Sequence, residues 1–523
     1  MTGESDPLTP QVNRWIVSMS VVFATFMEVL DTTVVNVSLP HIAGSMSSTV
    51  EEATWVLTSY LVANAIILPM TGWLARAFGR KRLLLLAVTG FTSASVLCGL
   101  APNLTSLVVF RIIQGLCGGT MQPLSQAIML EAFVPEERGK AMAAWSLCIV
   151  LAPILGPVVG GWLTDSYSWR WVFYINLPVG ITSLIMARLF VFDPSYLRRK
   201  PVGVDTWGIG LLALGMGSLQ ILLDKGEQED WFTSDTMTML ALVAAIALAT
   251  FIVRELLIEH PIVDLRVFLN RTYATGVFLM TMLGFVLYGS LVLLPIMLQT
   301  LLGYPSLQAG IALAPRGIGS FLATPIIGMI IGRVEPRKLL APGILVCGIT
   351  LLWLGNLNLS AGYWDIFWPQ FIQGISMSCL FVPLTTITMH PIPKEQMGNA
   401  ASVFNVMRNI GGSMGIATSA TLLARRRQAY TNLLVKHVNP YSLKTRMTLA
   451  GIRNGLISRG VDPATAGRRS YAVLFFEIQR QAGMKGFIDV FRLLGILFIL
   501  TLPLILIARP ARNRKNGPQA AAH

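Results

Sequence analysis

Residues 27–40 read Met27-Glu28-Val29-Leu30-Asp31-Thr32-Thr33-Val34-Val35-Asn36-Val37-Ser38-Leu39-Pro40, and this stretch decides the fold. It ends an apolar segment that begins near Trp15 and reaches about Ser38. Crossing a bilayer takes roughly 20 residues, so the segment is long enough to span. Two acids, Glu28 and Asp31, lie well inside it. A carboxylate at that depth costs at least ~2.5 kcal/mol, so it faces a protein interior or a water-filled path. At ~100° of helix per residue, Thr25, Glu28, Thr32 and Asn36 fall on one stripe, with Asp31 at its edge. Two readings are open here: the stripe lines a translocation path, or the acids are protonated and satisfied by neighbouring helices.

The rest of the composition agrees with a membrane. Of 523 residues, 54% are apolar and only 13% charged, and the mean hydropathy is +0.63. This is the profile of a polytopic membrane protein rather than of several soluble domains. The formal net charge of +14 sits in loops between apolar segments, which favours topology and lipid head groups over nucleic acid. Cys98, Cys117, Cys148, Cys347 and Cys379 all lie in apolar segments without metal-ligand spacing, and read as small core residues. The opening MTGESDPLTPQVNR lacks the features of a signal peptide, so the first apolar segment is expected to stay as a span.

Fourteen apolar stretches of spanning length follow one another, at about 15–38, 52–75, 83–101, 104–130, 140–163, 170–192, 205–223, 236–257, 273–300, 307–332, 339–357, 365–389, 399–423 and 488–508. Basic residues follow the even-numbered spans: Arg76, Arg80, Lys81 and Arg82; Arg198, Arg199 and Lys200; Arg266 and Arg271; Arg333, Arg337 and Lys338; and the tail from Arg509 to Lys515. The loops after spans 1, 3, 9 and 11 have none, so both termini are expected on the cytoplasmic side. The Lys- and Arg-rich segment 424–487 is then placed outside as one long loop. Long loops translocate largely regardless of charge.

The chain also repeats itself. IGMIIGRVEPRKLL at 327–340 echoes TGWLARAFGRKRLL at 71–84, and IQGISMSCLFVPLTTITM at 372–389 echoes IQGLCGGTMQPLSQAIM at 113–129. Leu294-Pro295 echoes Leu39-Pro40 at a similar offset. Spans 1, 2 and 4 thus map onto 9, 10 and 12. Repeated bundles in the membrane are the architecture of alternating-access transporters. The expected division is a tail 1–14, a six-helix bundle 15–192, a linker with two extra spans 193–270, five helices 271–423, the outer loop 424–487, a last span 488–508 and a basic tail 509–523.

These strings resemble the fourteen-span drug/proton antiporters of the major facilitator superfamily, most closely the EmrB type. The first-span signature matches Leu30 to Val37 and ends at Leu39-Pro40. The loop 2–3 motif matches Gly72-Trp73-Leu74-Ala75 and Gly79-Arg80-Lys81-Arg82. The span-4 motif matches Arg111-Ile112-Ile113-Gln114-Gly115, and the span-5 antiporter motif runs from Ala152-Pro153 through Gly156-Pro157 to Gly160-Gly161. WRWVFYINLPVG (169–180), PIVDLRVF (261–268) and WPQFIQG (368–374) are further EmrB-like strings. Arg76 stands where the wider superfamily usually has Asp, which argues against a gating salt bridge through that position.

The resemblance implies an all-α polytopic fold of two six-helix bundles plus two inserted helices, and a non-enzymatic, proton-driven exporter of small lipophilic substrates. It implies no cofactor beyond the proton gradient, a bacterial inner-membrane location, and a periplasmic adaptor and outer-membrane channel as partners. Arg111, a permanent cation in span 4, needs a partner, and a first-span carboxylate is the expected one. Burial favours the neutral acid and a guanidinium the carboxylate, a balance that lets an acid load and release a proton. Proton coupling is accordingly assigned to Asp31, Glu28 and Arg111, with Asp31 the principal carrier, and the substrate path to Thr25, Thr32, Asn36, Gln114, Arg408 and Asn405. Gating is assigned to Gly72, Arg76, Gly79, Arg80, Pro153, Gly156, Pro157, Gly160 and Gly161. Small residues four apart allow close helix approach and prolines bend the helix, so a span-5 seam between the halves is expected to control opening. In the outer loop Tyr471, Leu474, Phe475 and Ile478 form an i, i+3, i+4, i+7 stripe, read as an adaptor-docking face or as a lid on the transporter's own mouth. No nucleophile–base set, metal spacing or P-loop is present, which speaks against an enzyme or an ATP-driven pump, and the repeat against a receptor or channel.

Overall fold

The computed structural model describes residues 13–134, 137–193, 205–259, 261–331, 333–439 and 441–506. Most of the tail 1–14, the basic tail 509–523 and the cluster Arg198 to Lys200 lie outside the described residues. Among those described, thirteen helices are long and apolar enough to cross a bilayer. They begin with α1 (Arg14–Ser45), α2 (Glu51–Phe78), α3 (Arg80–Leu100), α4 (Leu104–Ala132), α5 (Arg138–Ser166) and α6 (Trp171–Phe190). The inserted pair is α7 (Thr206–Lys225) and α8 (Asp235–Leu257). The second set is α9 (Arg271–Thr300), α10 (Gln308–Ile330), α11 (Pro336–Leu354) and α12 (Tyr363–Met389). Then come α13 (Met397–Val435), α14 (Leu443–Ile457) and α15 (Pro463–Ile499), whose apolar stretch continues to Ile505. The long α13 carries Asn399, Asn405, Arg408 and Asn409 and is not among the thirteen, yet it packs in the second bundle as the fourteenth span.

Local chemistry sets the ends. Asn103 and Ser106 form a reciprocal capping box at the start of α4. The Asn270 side chain caps α9, and Asp462 caps α15. Gly79 takes φ +85 between α2 and α3, a backbone state that suits glycine. Asp205 caps α7 through Gly208 and pairs with Arg254 of α8 at 2.8 Å. The hydrogen bond from Arg254 holds its carboxyl below the usual carboxylate range.

The packing carries the sequence repeat into three dimensions. In the first bundle α1 meets α4, α5 and α6, α2 meets α4, and α3 meets α4 and α6. In the second, α9 meets α12, α13 and α15, α10 meets α12, and α11 meets α12 and α15. Each pairing is the other's counterpart. Between the halves the same symmetry holds, α5 against α10 and α12, and α13 against α2 and α4. The inserted α7 and α8 pack on each other, with α7 against α2 and α13.

At the end where α1 begins, the near end, the halves close tightly. A Cβ on Gly72 would lie 2.8 Å from the Asn399 backbone, and one on Gly328 2.9 Å from Ala143. The segment between α8 and α9 straps across this closure. Its Asp264 N–H donates to Asn399 Oδ1 at 3.0 Å, Asn399 Nδ2 donates back to the Asp264 carbonyl at 2.9 Å, and Arg76 donates to the Pro261 carbonyl at 3.3 Å.

The expected outer loop 424–487 needs correction. α13 continues to Val435, α14 fills part of the interval, and α15 runs without a break from Pro463 into the last span. The helix does not stop where apolarity stops, because its hydrogen-bond ladder needs no apolar side chains. These residues form a helical extension at the far end, with α14 packed on α15.

Candidate functional site

The two first-span acids belong to different networks. Asp31 is fully buried and accepts from three side chains: Arg111 Nη1 at 2.6 Å, Gln114 Nε2 at 3.0 Å and Asn176 Nδ2 at 2.6 Å. Arg111, equally buried, also donates from Nε to the Val56 carbonyl at 3.0 Å and from Nη1 to Gln114 Oε1 at 2.9 Å. Its guanidinium lies 4.2 Å from the centre of the Tyr60 ring. Asn176 continues the network to Ser95 Oγ at 3.0 Å, and Ser95 donates to the Phe173 carbonyl at 2.8 Å. Every member comes from α1, α2, α3, α4 or the α6 region, all in the first bundle. This set holds a buried ion pair in a web of hydrogen bonds and pins that bundle together, with Arg111 Nη2 and Asn176 Oδ1 left without a hydrogen bond among the described residues.

Glu28, one turn earlier on α1, faces the junction of the halves. Its Oε1 accepts from Asn64 Nδ2 of α2 at 3.0 Å and its Oε2 from Gln122 Nε2 of α4. Among the described residues no cation is ion-paired with it. The other end of the Gln122 amide accepts from Arg408 Nη2 of α13. One turn along the same seam, Asn405 Nδ2 donates to Gln126 Oε1 of α4 at 2.5 Å. Arg408 and Asn405, expected on the substrate path, are buried in the contact between the bundles. The guanidinium of Arg408 has no carboxylate partner among the described residues, and its Nε and Nη1 make no hydrogen bond.

The polar stripe of α1 grades from closed to open. Thr25 is fully buried, Glu28 nearly so, Thr32 half-buried and Asn36 exposed. Thr25 and Thr32 return their hydroxyls to the carbonyls of Val21 and Val29 on their own helix. The stripe therefore runs from a sealed near end toward an open far end, with Glu28 where the opening begins.

The assigned gating residues separate into two groups. Gly72 lies between the halves, and Arg76 binds the strap rather than an acid. Gly79 lets the chain turn beside Asp193, whose Oδ1 accepts from the Lys81 N–H at 2.9 Å, while Arg80 is ion-paired with Glu131. The span-5 seam is placed differently from expectation. A Cβ on Gly156 would run into Thr33 and one on Gly160 would lie 2.7 Å from the Val34 carbonyl oxygen, both on α1. These glycines press α5 onto α1 inside one half. A Cβ on Gly161 would meet Val37 at 3.9 Å, and one on Gly310 of the other half would lie 3.8 Å from Pro157. Glycine spacing shows that a helix is approached closely but not by which neighbour. On α15, Tyr471 and Phe475 are exposed and Leu474 and Ile478 half-buried.

Sequence reasoning passed over Asn64, Gln122, Gln126 and Asn176. Neutral amides leave no charge signal, although Gln122 and Gln126 stand four apart in an apolar run, which is the trace that marks them. In the second bundle Arg316 donates to Gln370 Oε1 at 2.9 Å and Gln373 Oε1 at 2.6 Å with no carboxylate in contact among the described residues.

Comparison with known proteins agrees with this geometry. Residues 21–416 match the family model of the Major Facilitator Superfamily. The fatty acid resistance protein FarB of Neisseria gonorrhoeae is 38% identical over 98% of this chain and 99% of its own. The multidrug export protein EmrB of Escherichia coli is 38% identical over 82% of this chain and 83% of its own. Among solved structures, the human organic anion transporter MFSD10 superposes with a TM-score of 0.61 at 13% identity, covering 95% of this chain and all of that one. The proton:xylose symporter XylE gives 0.60 at 15%, covering 95% and 96%. With two pseudo-symmetric bundles, two inserted helices and a buried acid–arginine core, the chain belongs to the major facilitator superfamily, as an EmrB-type transporter.

Proposed function

We propose that this protein is a proton-coupled multidrug exporter that moves lipophilic and amphiphilic compounds out across the bacterial inner membrane. The observation that carries the reading is Glu28. It is a carboxylate nearly sealed from solvent, held among the described residues by neutral amides, on a polar stripe that opens toward the far end. An acid in such a place is a site where a proton can be taken up from one side and given to the other. Glu28 is thereby the principal carrier. Asp31, committed to Arg111, holds the first bundle in the shape that presents Glu28. Fuel is the proton gradient, without a cofactor.

The basic loops at the near end support cytoplasmic termini, with the far end facing the periplasm. The exposed Tyr471 and Phe475 on the helical extension suit a periplasmic adaptor that passes cargo to an outer-membrane channel. A second reading, export of a narrower class such as fatty acids, is favoured by the match to the fatty acid resistance protein along almost the whole of both chains. Efflux from proteoliposomes tests both. A panel of cationic, neutral and anionic amphiphiles is expected to leave in exchange for protons and to stop when the gradient is collapsed. Export of fatty acids alone would select the second reading, and export indifferent to the gradient would reject proton coupling.

A further inference from the structure

We propose that Gln122 is the positioning residue that ties the charge on Glu28 to the contact between the two halves. The proposal rests on Glu28 being the proton carrier. A guanidinium has only donors, so the atom that Gln122 offers to Arg408 Nη2 is its amide oxygen. The opposite end, Nε2, is then turned onto Glu28 Oε2. An amide nitrogen only donates, so Oε2 is the acceptor, and an ionised Oε2 makes that bond far stronger than a protonated one, since charge-assisted hydrogen bonds are the strong ones. The guanidinium orients the amide, and the amide reads the carboxylate.

The other oxygen is under no such constraint. Glu28 Oε1 accepts from Asn64 Nδ2 at 3.0 Å. A half-turn of Asn64 would accept a proton there. A proton on Oε2 that points at Gln122, by contrast, turns that amide, which sets its NH2 against Arg408, donor against donor. Protonation at either oxygen also removes the negative charge that faces Arg408 through the amide.

The groups around Glu28 leave no substitute for that charge. Asp31 on α1 is engaged with Arg111 of α4, Tyr60 of α2 is neutral and stacked on the same guanidinium, and Arg408 is the cation from α13. Two of the three nitrogens of Arg408 already lack partners. Ionised Glu28 thus holds α4 to α13 through Gln122, and protonation weakens that hold, at either oxygen by removing the charge and at Oε2 by turning the amide as well. The direction is the one an exporter needs. A proton arriving from the open far end, after cargo has left, loosens the closed near end. Interfaces of this kind have two arrangements rather than a continuum, so one bond at the seam biases the whole.

The test is the distance between spin labels at the exposed near-end positions Phe78 on α2 and Lys394 before α13, in a cysteine-free background in lipid nanodiscs. Wild type is expected to shift from a short to a long distance on acidification. Glu28→Gln should be long at every pH. Gln122→Leu should lose the pH shift, whereas Gln122→Glu, which sets a carboxylate directly against Arg408, should be short throughout. Thermal melting reports separately whether each variant folds, and if the Leu variant does not, the Glu variant decides. A Gln122→Leu protein that titrates like wild type, or a Gln122→Glu protein that is not held closed, overturns the proposal alone. A wild type and Glu28→Gln pair equally indifferent to pH overturns it together with the proton-carrier reading.

Discussion

Asp31 and Glu28 are three residues apart and the same kind of acid, yet their surroundings give them different work. Asp31 meets three donors, one of them a fixed cation, while Glu28 meets two neutral amides. Removing one partner of a buried ion pair leaves the other uncompensated and costs about 3–5 kcal/mol. Asp31→Asn and Arg111→Gln are therefore expected to lower the melting temperature of the purified protein and its transport together. The double variant should regain part of the stability, as coupled partners do. Glu28→Gln should melt near wild type and lose gradient-driven efflux. An Asp31→Asn protein of wild-type stability that has lost only proton coupling would return the carrier role to Asp31. The sequence made the acid–arginine pair legible, because a charge in an apolar run is costly and must be answered. It left the division of roles hidden, since that division is drawn by Asn64, Gln122 and Asn176. Those amides reach the site from α2, α4 and the α6 region.

At the scale of elements, two glycines in family motifs make opposite demands. Gly156 is pressed onto α1 within one half, and Gly72 meets the Asn399 backbone of the other half. Overpacking a close helix contact costs about 1–3 kcal/mol. Gly156→Ala is expected to lower the melting temperature and leave the balance of open and closed forms unchanged. Gly72→Ala has backbone rather than a yielding side chain in its way. It should change melting little but push the near end apart, seen as faster labelling of a cysteine introduced at Arg76. Equal effects of the two substitutions would mean that Gly156 bears on the seam between the halves after all. Spans and their repeat could be read from apolar runs and recurring strings, and the packing reproduces them pair by pair. The strap 261–268 could not be read in that way. PIVDLRVF looks like a connector, and its grip on Asn399 spans well over a hundred residues of chain.

Across the whole molecule, charge is distributed unevenly. Residues 424–486 hold twelve Lys or Arg against two acids, most of the net +14 of the chain. In sequence such a run reads as a loop, and the structure builds it into helices that stand on the far end. If the proposed adaptor docks here, Tyr471→Glu with Phe475→Glu is expected to spare proton-driven export in proteoliposomes while abolishing co-purification with that adaptor and resistance in cells. Retention of all three would make the extension a lid. Its construction has a mechanical consequence. At ~1.5 Å per residue, the 37 residues of α15 reach far beyond a hydrocarbon layer of about 30 Å, and no joint separates the part inside from the part outside. The helix is a lever arm rooted in the second bundle. Whatever grips its outer length is swung at every turnover, and whatever clamps that length stalls the pump.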